Sequence, residues 1–138
     1  MTAPFSGGCM CGAIRYECSA EPLGVAYCYC RDCQRSSGGP FSTIVIVPAS
    51  AVKIQRGQAK GYAVKGESGN TVTRFFCTEC GAPLYSEAQA APTARFVKAA
   101  SLDDPSRVKP GMAIWTSSAQ PWAEIPQGLQ RFEKNPPL

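Results

Sequence analysis

Histidine is absent from all 138 residues. That absence removes the Ser-His-Asp and Cys-His catalytic units, the His-x-x-x-His metal helix and any imidazole general base. A metal held by this chain needs sulfur, carboxylate or a ligand from outside it. Charge is also sparse, at 17% Asp, Glu, Lys and Arg, against about a quarter in ordinary globular domains. Long apolar runs are missing too. The longest strongly apolar stretch, Ile44-Val45-Ile46-Val47, stops at Pro48, far short of the roughly 20 residues that span a bilayer. No membrane partner is therefore expected. Met1 to Gly8 has neither a basic start nor an apolar stretch, so no secretory signal is expected, and the expected compartment is the cytoplasm.

What is present in excess is cysteine, eight residues, together with 13 glycines and 12 prolines. Glycine and proline at this level imply many turns and short strands rather than long helices. Clustered cysteines in a reducing compartment point to metal binding rather than a disulfide scaffold. The length fits one domain. Residues 1–134 are expected to form it, with residues 135–138 (Asn-Pro-Pro-Leu) as an irregular tail. The formal charge of +4 is no nucleic-acid footprint, because the 14 basic residues are dispersed. It also counts cysteines as neutral thiols, whereas metal ligands are thiolates. Seven thiolates subtract seven charges and two Zn²⁺ return four, so the +4 falls to +1.

Hydrophobic patterning predicts a mainly β protein of short antiparallel strands. Ala13 to Cys18 alternates, with Ile14, Tyr16 and Cys18 on one face and Arg15 and Glu17 on the other; that is a half-buried strand. Phe41 to Val47 is a short β-branched apolar run, and Val52-Lys53-Ile54 starts another strand. Tyr62 to Lys65 and Thr71 to Phe76 flank Glu67-Ser68-Gly69-Asn70, a hairpin loop whose Gly and Asn tolerate positive φ. Arg95 to Ala99 and Met112 to Thr116 are further strands, and Asp103 to Ser106 is a turn. Helix is confined to one turn over Asp32 to Ser37.

The cysteine spacings are Cys9-x-Cys11, Cys28-x-Cys30-x-x-Cys33 and Cys77-x-x-Cys80, with Gly12 and Gly81 closing the first and last. A C-x-x-C pair closing on glycine turns tightly and aims two sulfurs at one point, and two such knuckles make a tetrahedral four-sulfur site. Cys9, Cys11, Cys77 and Cys80 then form a closed metal site tying the N-terminal edge to a position 66 residues on. Cys28, Cys30 and Cys33 supply three ligands. Three protein ligands with an exchangeable fourth is the pattern of a catalytic zinc. The fourth position is either open or filled by water, a substrate thiol, Cys18 or a carboxylate such as Asp32. Cys18 lies on the apolar face of its strand, which favours a plain core cysteine. Two purely structural zincs, a Cys30/Cys33 redox dithiol, and iron at the closed site remain open alternatives.

Three runs resemble the glutathione-dependent formaldehyde-activating enzyme family. They are Gly7-Gly8-Cys9-Met10-Cys11-Gly12-Ala13-Ile14-Arg15-Tyr16, Cys28-Tyr29-Cys30-Arg31-Asp32-Cys33-Gln34-Arg35-Ser36-Ser37-Gly38 and Phe76-Cys77-Thr78-Glu79-Cys80-Gly81-Ala82-Pro83-Leu84-Tyr85. Ser68-Gly69-Asn70, Ser101-Leu102-Asp103-Asp104-Pro105, and Ile114-Trp115-Thr116 with Pro121-Trp122 add to the match. The resemblance implies an Mss4-like β-tent scaffold organised around zinc knuckles. It implies a structural zinc on Cys9, Cys11, Cys77 and Cys80 and a catalytic zinc on Cys28, Cys30 and Cys33. The implied activity is that of a carbon–sulfur lyase, joining a thiol such as glutathione to formaldehyde or a related small aldehyde. Many family members carry histidine where this chain has Tyr29. A non-catalytic zinc module is the alternative.

Around the central loop, Arg31 and Arg35 are either solvated surface charges, the simpler reading, or partners for a substrate carboxylate. Phe75, Phe76, Trp115 and Trp122 are expected as core or pocket wall.

Overall fold

The computed structural model describes residues 1–137; Leu138, the end of the expected tail, lies outside the described residues. In chain order the strands are β1 (Phe5–Gly8), β2 (Arg15–Cys18), β3 (Gly24–Cys28), β4 (Ser42–Pro48), β5 (Val52–Arg56) and β6 (Lys60–Lys65). They continue with β7 (Thr71–Phe76), β8 (Pro83–Ala88), β9 (Ala94–Lys98), β10 (Met112–Ile114) and β11 (Gln130–Arg131). One α-helix, α1 (Arg31–Ser37), joins β3 to β4. A three-stranded sheet runs β1-β2-β5, and an eight-stranded sheet runs β11-β10-β3-β4-β9-β8-β7-β6. All pairings are antiparallel except β10, which runs parallel to both β3 and β11.

The alternation read in the sequence decides how the sheets meet. Ile14, Tyr16 and Cys18 are all buried and face the core, with Phe5 and Val52 beside them on the small sheet. Val25, Val45, Val47, Val97 and Tyr85 of the large sheet complete this core. Each fully buried aliphatic side chain stabilises it by about 1.5–3 kcal/mol. β4 is paired on both edges, to β3 and β9, which is why its sequence reads as a nearly unbroken apolar run.

A second apolar cluster holds Ala26, Cys28, Ile44 and Ile114 of the large sheet together with Cys33 of α1. Strand register places Cys28 opposite Ser42, Ile44 opposite Lys98 and Arg74 opposite Ser86. With one residue per register step, these side chains share the face turned away from the first core. The large sheet also curls at its margins. Lys134, just after β11, forms a 2.6 Å ion pair with Glu67 in the β6–β7 turn. The two ends of the sheet therefore approach one another.

Most expected strands are present with boundaries shifted by one or two residues, and the 67–70 hairpin loop has Gly69 at φ +88°. Met112 to Thr116 ends early, at Ile114, because Trp115 turns into the left-handed region at φ 57° and a 3-10 turn follows over Thr116–Ser118. β1, β3, β8 and β11 are additional to the expected set. Among the described residues no helix is long and apolar enough to cross a membrane.

Candidate metal centres

The first centre is built by two knuckles of matching construction. Beyond β1, Cys9 N–H donates to the Ile14 carbonyl (3.1 Å), Gly12 N–H donates to the Cys9 carbonyl (3.3 Å), and Ile14 N–H donates to Cys9 Sγ (3.2 Å). Beyond β7, Cys77 N–H donates to the Ala82 carbonyl (3.1 Å) and Gly81 N–H to the Cys77 carbonyl (2.8 Å). Gly12 and Gly81 take φ of +79° and +76°, a region that costs a side-chain-bearing residue about 1–2 kcal/mol.

The four sulfurs of Cys9, Cys11, Cys77 and Cys80 lie within 4.8 Å of one another. Cys9–Cys11 is 3.6 Å and Cys11–Cys77 is 3.8 Å. A disulfide would need about 2.05 Å. A metal bonded at about 2.3 Å to four tetrahedral sulfurs sets them about 3.8 Å apart. The spacing thus fits a thiolate metal site and excludes a disulfide. Backbone N–H groups of Ala82 and Cys11 lower the Cys80 thiol to about 6. The Ala13 N–H favours the Cys11 thiolate, but crowding by Cys9, Cys77 and Cys80 pushes Cys11 up to about 11. Without a cation the cluster resists ionising fully; a divalent metal removes that conflict.

The second centre sits where β3 runs into α1. Cys28 ends β3, Cys30 is the helix N-cap and Cys33 lies in the first turn. Cys33 N–H donates to Cys30 Sγ at 3.3 Å, so one sulfur serves both cap and cluster. The three sulfurs lie within 4.8 Å of one another, with Cys28 and Cys33 buried. Hydrogen bonds from the Cys28 and Cys30 thiols hold Cys33 well below the ordinary thiol range, with Lys98 and Arg74 adding to the effect. Cys30 and Cys33 in turn push Cys28 up, with burial adding to the effect.

Cations and an amide surround this centre. Arg74 Nη2 donates to Cys33 Sγ at 3.8 Å. Lys98, only 6% exposed, donates to Ser42 Oγ at 3.1 Å. Gln34 donates to the carbonyls of Tyr29 (2.7 Å) and Ser118 (3.1 Å) and accepts from Arg31 (2.7 Å), locking the loop against the 116–118 turn. Lys98 and Ser42 also line a cleft of about 520 Å³ with Tyr27, Phe41, Ser36 and Ser37.

The seven expected ligand cysteines thus fall into the two expected groups. Cys18 belongs to neither: it is buried in the first core and its thiol donates to the Ala20 carbonyl at 3.4 Å. Asp32 is likewise outside the second group. Tyr29 is fully buried, with its hydroxyl donating to the Glu124 carbonyl. Arg35 is exposed and Arg31 is engaged with Gln34. Trp115 packs on the second cluster, but Trp122 is 69% exposed rather than core or wall, because it sits in a surface turn after Pro121 outside any strand. Arg74, Lys98, Ser42 and Gln34 were not legible as site residues. The one signal was a lysine inside the otherwise apolar Phe96-Val97-Lys98-Ala99.

The curled β scaffold carries one four-thiol and one three-thiol cluster, each of which could hold a metal ion. Residues 4–118 match the family model for glutathione-dependent formaldehyde-activating enzymes, and the chain belongs to that family, with its Mss4-like fold. A Penicillium rubens protein provisionally named a glutathione-dependent formaldehyde-activating enzyme is 30% identical over 91 residues, covering 59% of this chain and 47% of that protein. A Fusarium vanettenii protein with the same provisional name is 30% identical over 93 residues, covering 61% and 47%. An uncharacterized lyase of Schizosaccharomyces pombe is 28% identical over 81 residues, covering 59% and 56%. The chain spans about half the length of these curated relatives. A crystal structure of a Rhodobacter sphaeroides protein shares the fold, with a TM-score of 0.59 at 23% identity over 76% of this chain and 91% of that one.

Proposed function

We propose that residues 1–134 form one zinc-binding unit that acts as a carbon–sulfur lyase, adding a thiol such as glutathione to formaldehyde or a related small aldehyde. In this reading Cys9, Cys11, Cys77 and Cys80 hold a structural Zn²⁺, and Cys28, Cys30 and Cys33 hold a catalytic one. The observation that carries it is the three-membered cluster: its three sulfurs converge within 4.8 Å and no fourth His, Cys, Asp or Glu joins them among the described residues. The eight free cysteines fit a reducing compartment, the cytoplasm in this reading. The partners are small molecules rather than nucleic acid or membrane.

Zinc, when bound, supplies the charge that turns a coordinating thiol into a thiolate at neutral pH. The chain's own residues do the rest. Cys30 is fixed by its cap bond to Cys33 N–H, and Gln34 holds the loop, so the three donors are preorganised. Arg74 and Lys98 add positive charge where sulfur and, later, oxygen carry negative charge. The addition forms one S–C bond, moves the carbonyl π pair onto oxygen, and delivers the thiol proton to that oxygen; no oxidant or reductant is involved. Three thiolate donors weaken a metal's Lewis acidity relative to three imidazoles. Thiol capture suits such a site better than hydrolysis.

Proton exchange NMR of glutathione and formaldehyde tests the reading. The zinc-loaded protein is expected to accelerate S-hydroxymethylglutathione formation over the uncatalysed background, and Cys30→Ser to abolish the acceleration. A rate equal to background with both metals bound would overturn this substrate pair.

A further inference from the structure

Lys98 and Arg74 bring two cationic side chains to the three cysteines, and among the described residues neither is paired with a carboxylate. Lys98 is 6% exposed, and among the described residues its side chain hydrogen-bonds only to the neutral Ser42 hydroxyl. Arg74 donates to Cys33 Sγ, while its Nε is buried without a partner among the described residues. Ser86, directly across the β7–β8 ladder from Arg74, is 5% exposed and its hydroxyl also lacks a partner among the described residues. Among the described residues the carboxylate ion pairs use Arg15, Arg95, Arg107 and Lys134, and none uses Lys98 or Arg74. The groups facing Lys98 are Cys33, Cys28, Cys30 and Arg74. An isolated buried ammonium is expensive, and chains keep one only where something offsets it.

The charge count identifies what does so. Three thiolates and a divalent metal sum to −1. Two cations beside them leave the site at +1. A neutral fourth ligand, such as water, leaves that surplus unchanged, whereas one further thiolate brings the whole group to zero.

We propose that Arg74 and Lys98 are positioning residues that select an anionic sulfur over a neutral donor as the fourth ligand of the Cys28–Cys30–Cys33 centre. This rests on the reading that the centre holds a metal with an exchangeable position. Arg74 acts at the mouth of the cluster through Cys33. Lys98 acts from β9, where its buried ammonium donates to Ser42 Oγ and faces the three sulfurs. Both act by charge, so removing either weakens an anion and spares a neutral ligand. A unit charge a few ångströms away in a half-buried site changes an anion's affinity by tenfold or more.

The test is calorimetric titration of the zinc-loaded full chain with two probes, 2-mercaptoethanol as thiolate donor and imidazole as neutral donor. Lys98→Met and Arg74→Gln are each expected to weaken 2-mercaptoethanol at least tenfold while leaving imidazole within about twofold, with Arg74→Lys restoring much of the thiol affinity. Lys98→Met is expected to melt no lower than the parent, since it replaces a buried charge with a chain of similar volume. Equal losses for both probes would show a merely structural role and overturn the proposal, as would unchanged thiol affinity in both variants. A parent protein that binds neither probe overturns the exchangeable-position reading itself, a result distinct from either of those.

Discussion

Replacing Cys11 with serine separates the work of the two centres. Cys11 is exposed, so its loss removes no core packing and isolates the metal clip. That clip joins Cys11 to Cys77 across 66 residues and ties the end of β1 in the small sheet to the end of β7 in the large one. A covalent link enclosing a loop of that length stabilises a fold by about 4 kcal/mol through lost chain entropy. At about 4 °C per kcal/mol for a chain of this size, Cys11→Ser should lower Tm by roughly 15 °C. The contrast is Cys30→Ser. Cys30 caps α1 by accepting from Cys33 N–H, and serine is among the best N-cap residues. The oxygen keeps the cap, so the loss should stay within about 1 kcal/mol, or about 4 °C. Scanning calorimetry of the two zinc-loaded variants, with metal content measured in parallel, reads the difference. Equal drops, or a larger drop for Cys30→Ser, would refute the division into a stabilising and a working centre.

Two further outcomes follow from local geometry. Gly57 sits at φ +80°, and a Cβ there would meet the Ala13 carbonyl and approach Ile14 Cγ1 to 2.9 Å; Gly57→Ala should cost about 2 kcal/mol or more, read as a lower urea midpoint with unchanged slope. Arg15 and Asp103 form a two-pronged pair, half exposed at 32% and 51%, so Asp103→Asn should cost only about 0.2–1 kcal/mol at low salt, and the difference from the parent should shrink in 1 M NaCl.

Sequence reading reached the strands whose patterning is strong and the ligands whose spacing is short. Ile14, Tyr16 and Cys18 declare their face by alternation, and Cys77-x-x-Cys80-Gly81 declares its turn by a glycine. β1 is four residues with two glycines, and β8 opens on proline, so neither carries a period to read. The parallel placement of β10 beside β3 is invisible locally, because it depends on a chain return of more than 80 residues. The same reason hid the cations. Lys98 and Arg74 come to Cys33 only through the β3-β4-β9-β8-β7 order, whereas Arg31 and Arg35, adjacent in sequence, are taken up by Gln34 or by solvent. The simpler reading of Arg31 and Arg35 as surface charges agrees with their exposure.

In the proposed function one metal is closed by four sulfurs and the other is held by three with a place for a fourth. Zinc K-edge X-ray absorption of the two-zinc protein, before and after glutathione, tests it directly. Seven thiolates shared by two ions give a mean of about 3.5 sulfurs per zinc, and capture of one thiol raises it to about 4. A mean of 4 before any thiol is added, or a mean that glutathione leaves unchanged, would contradict the account.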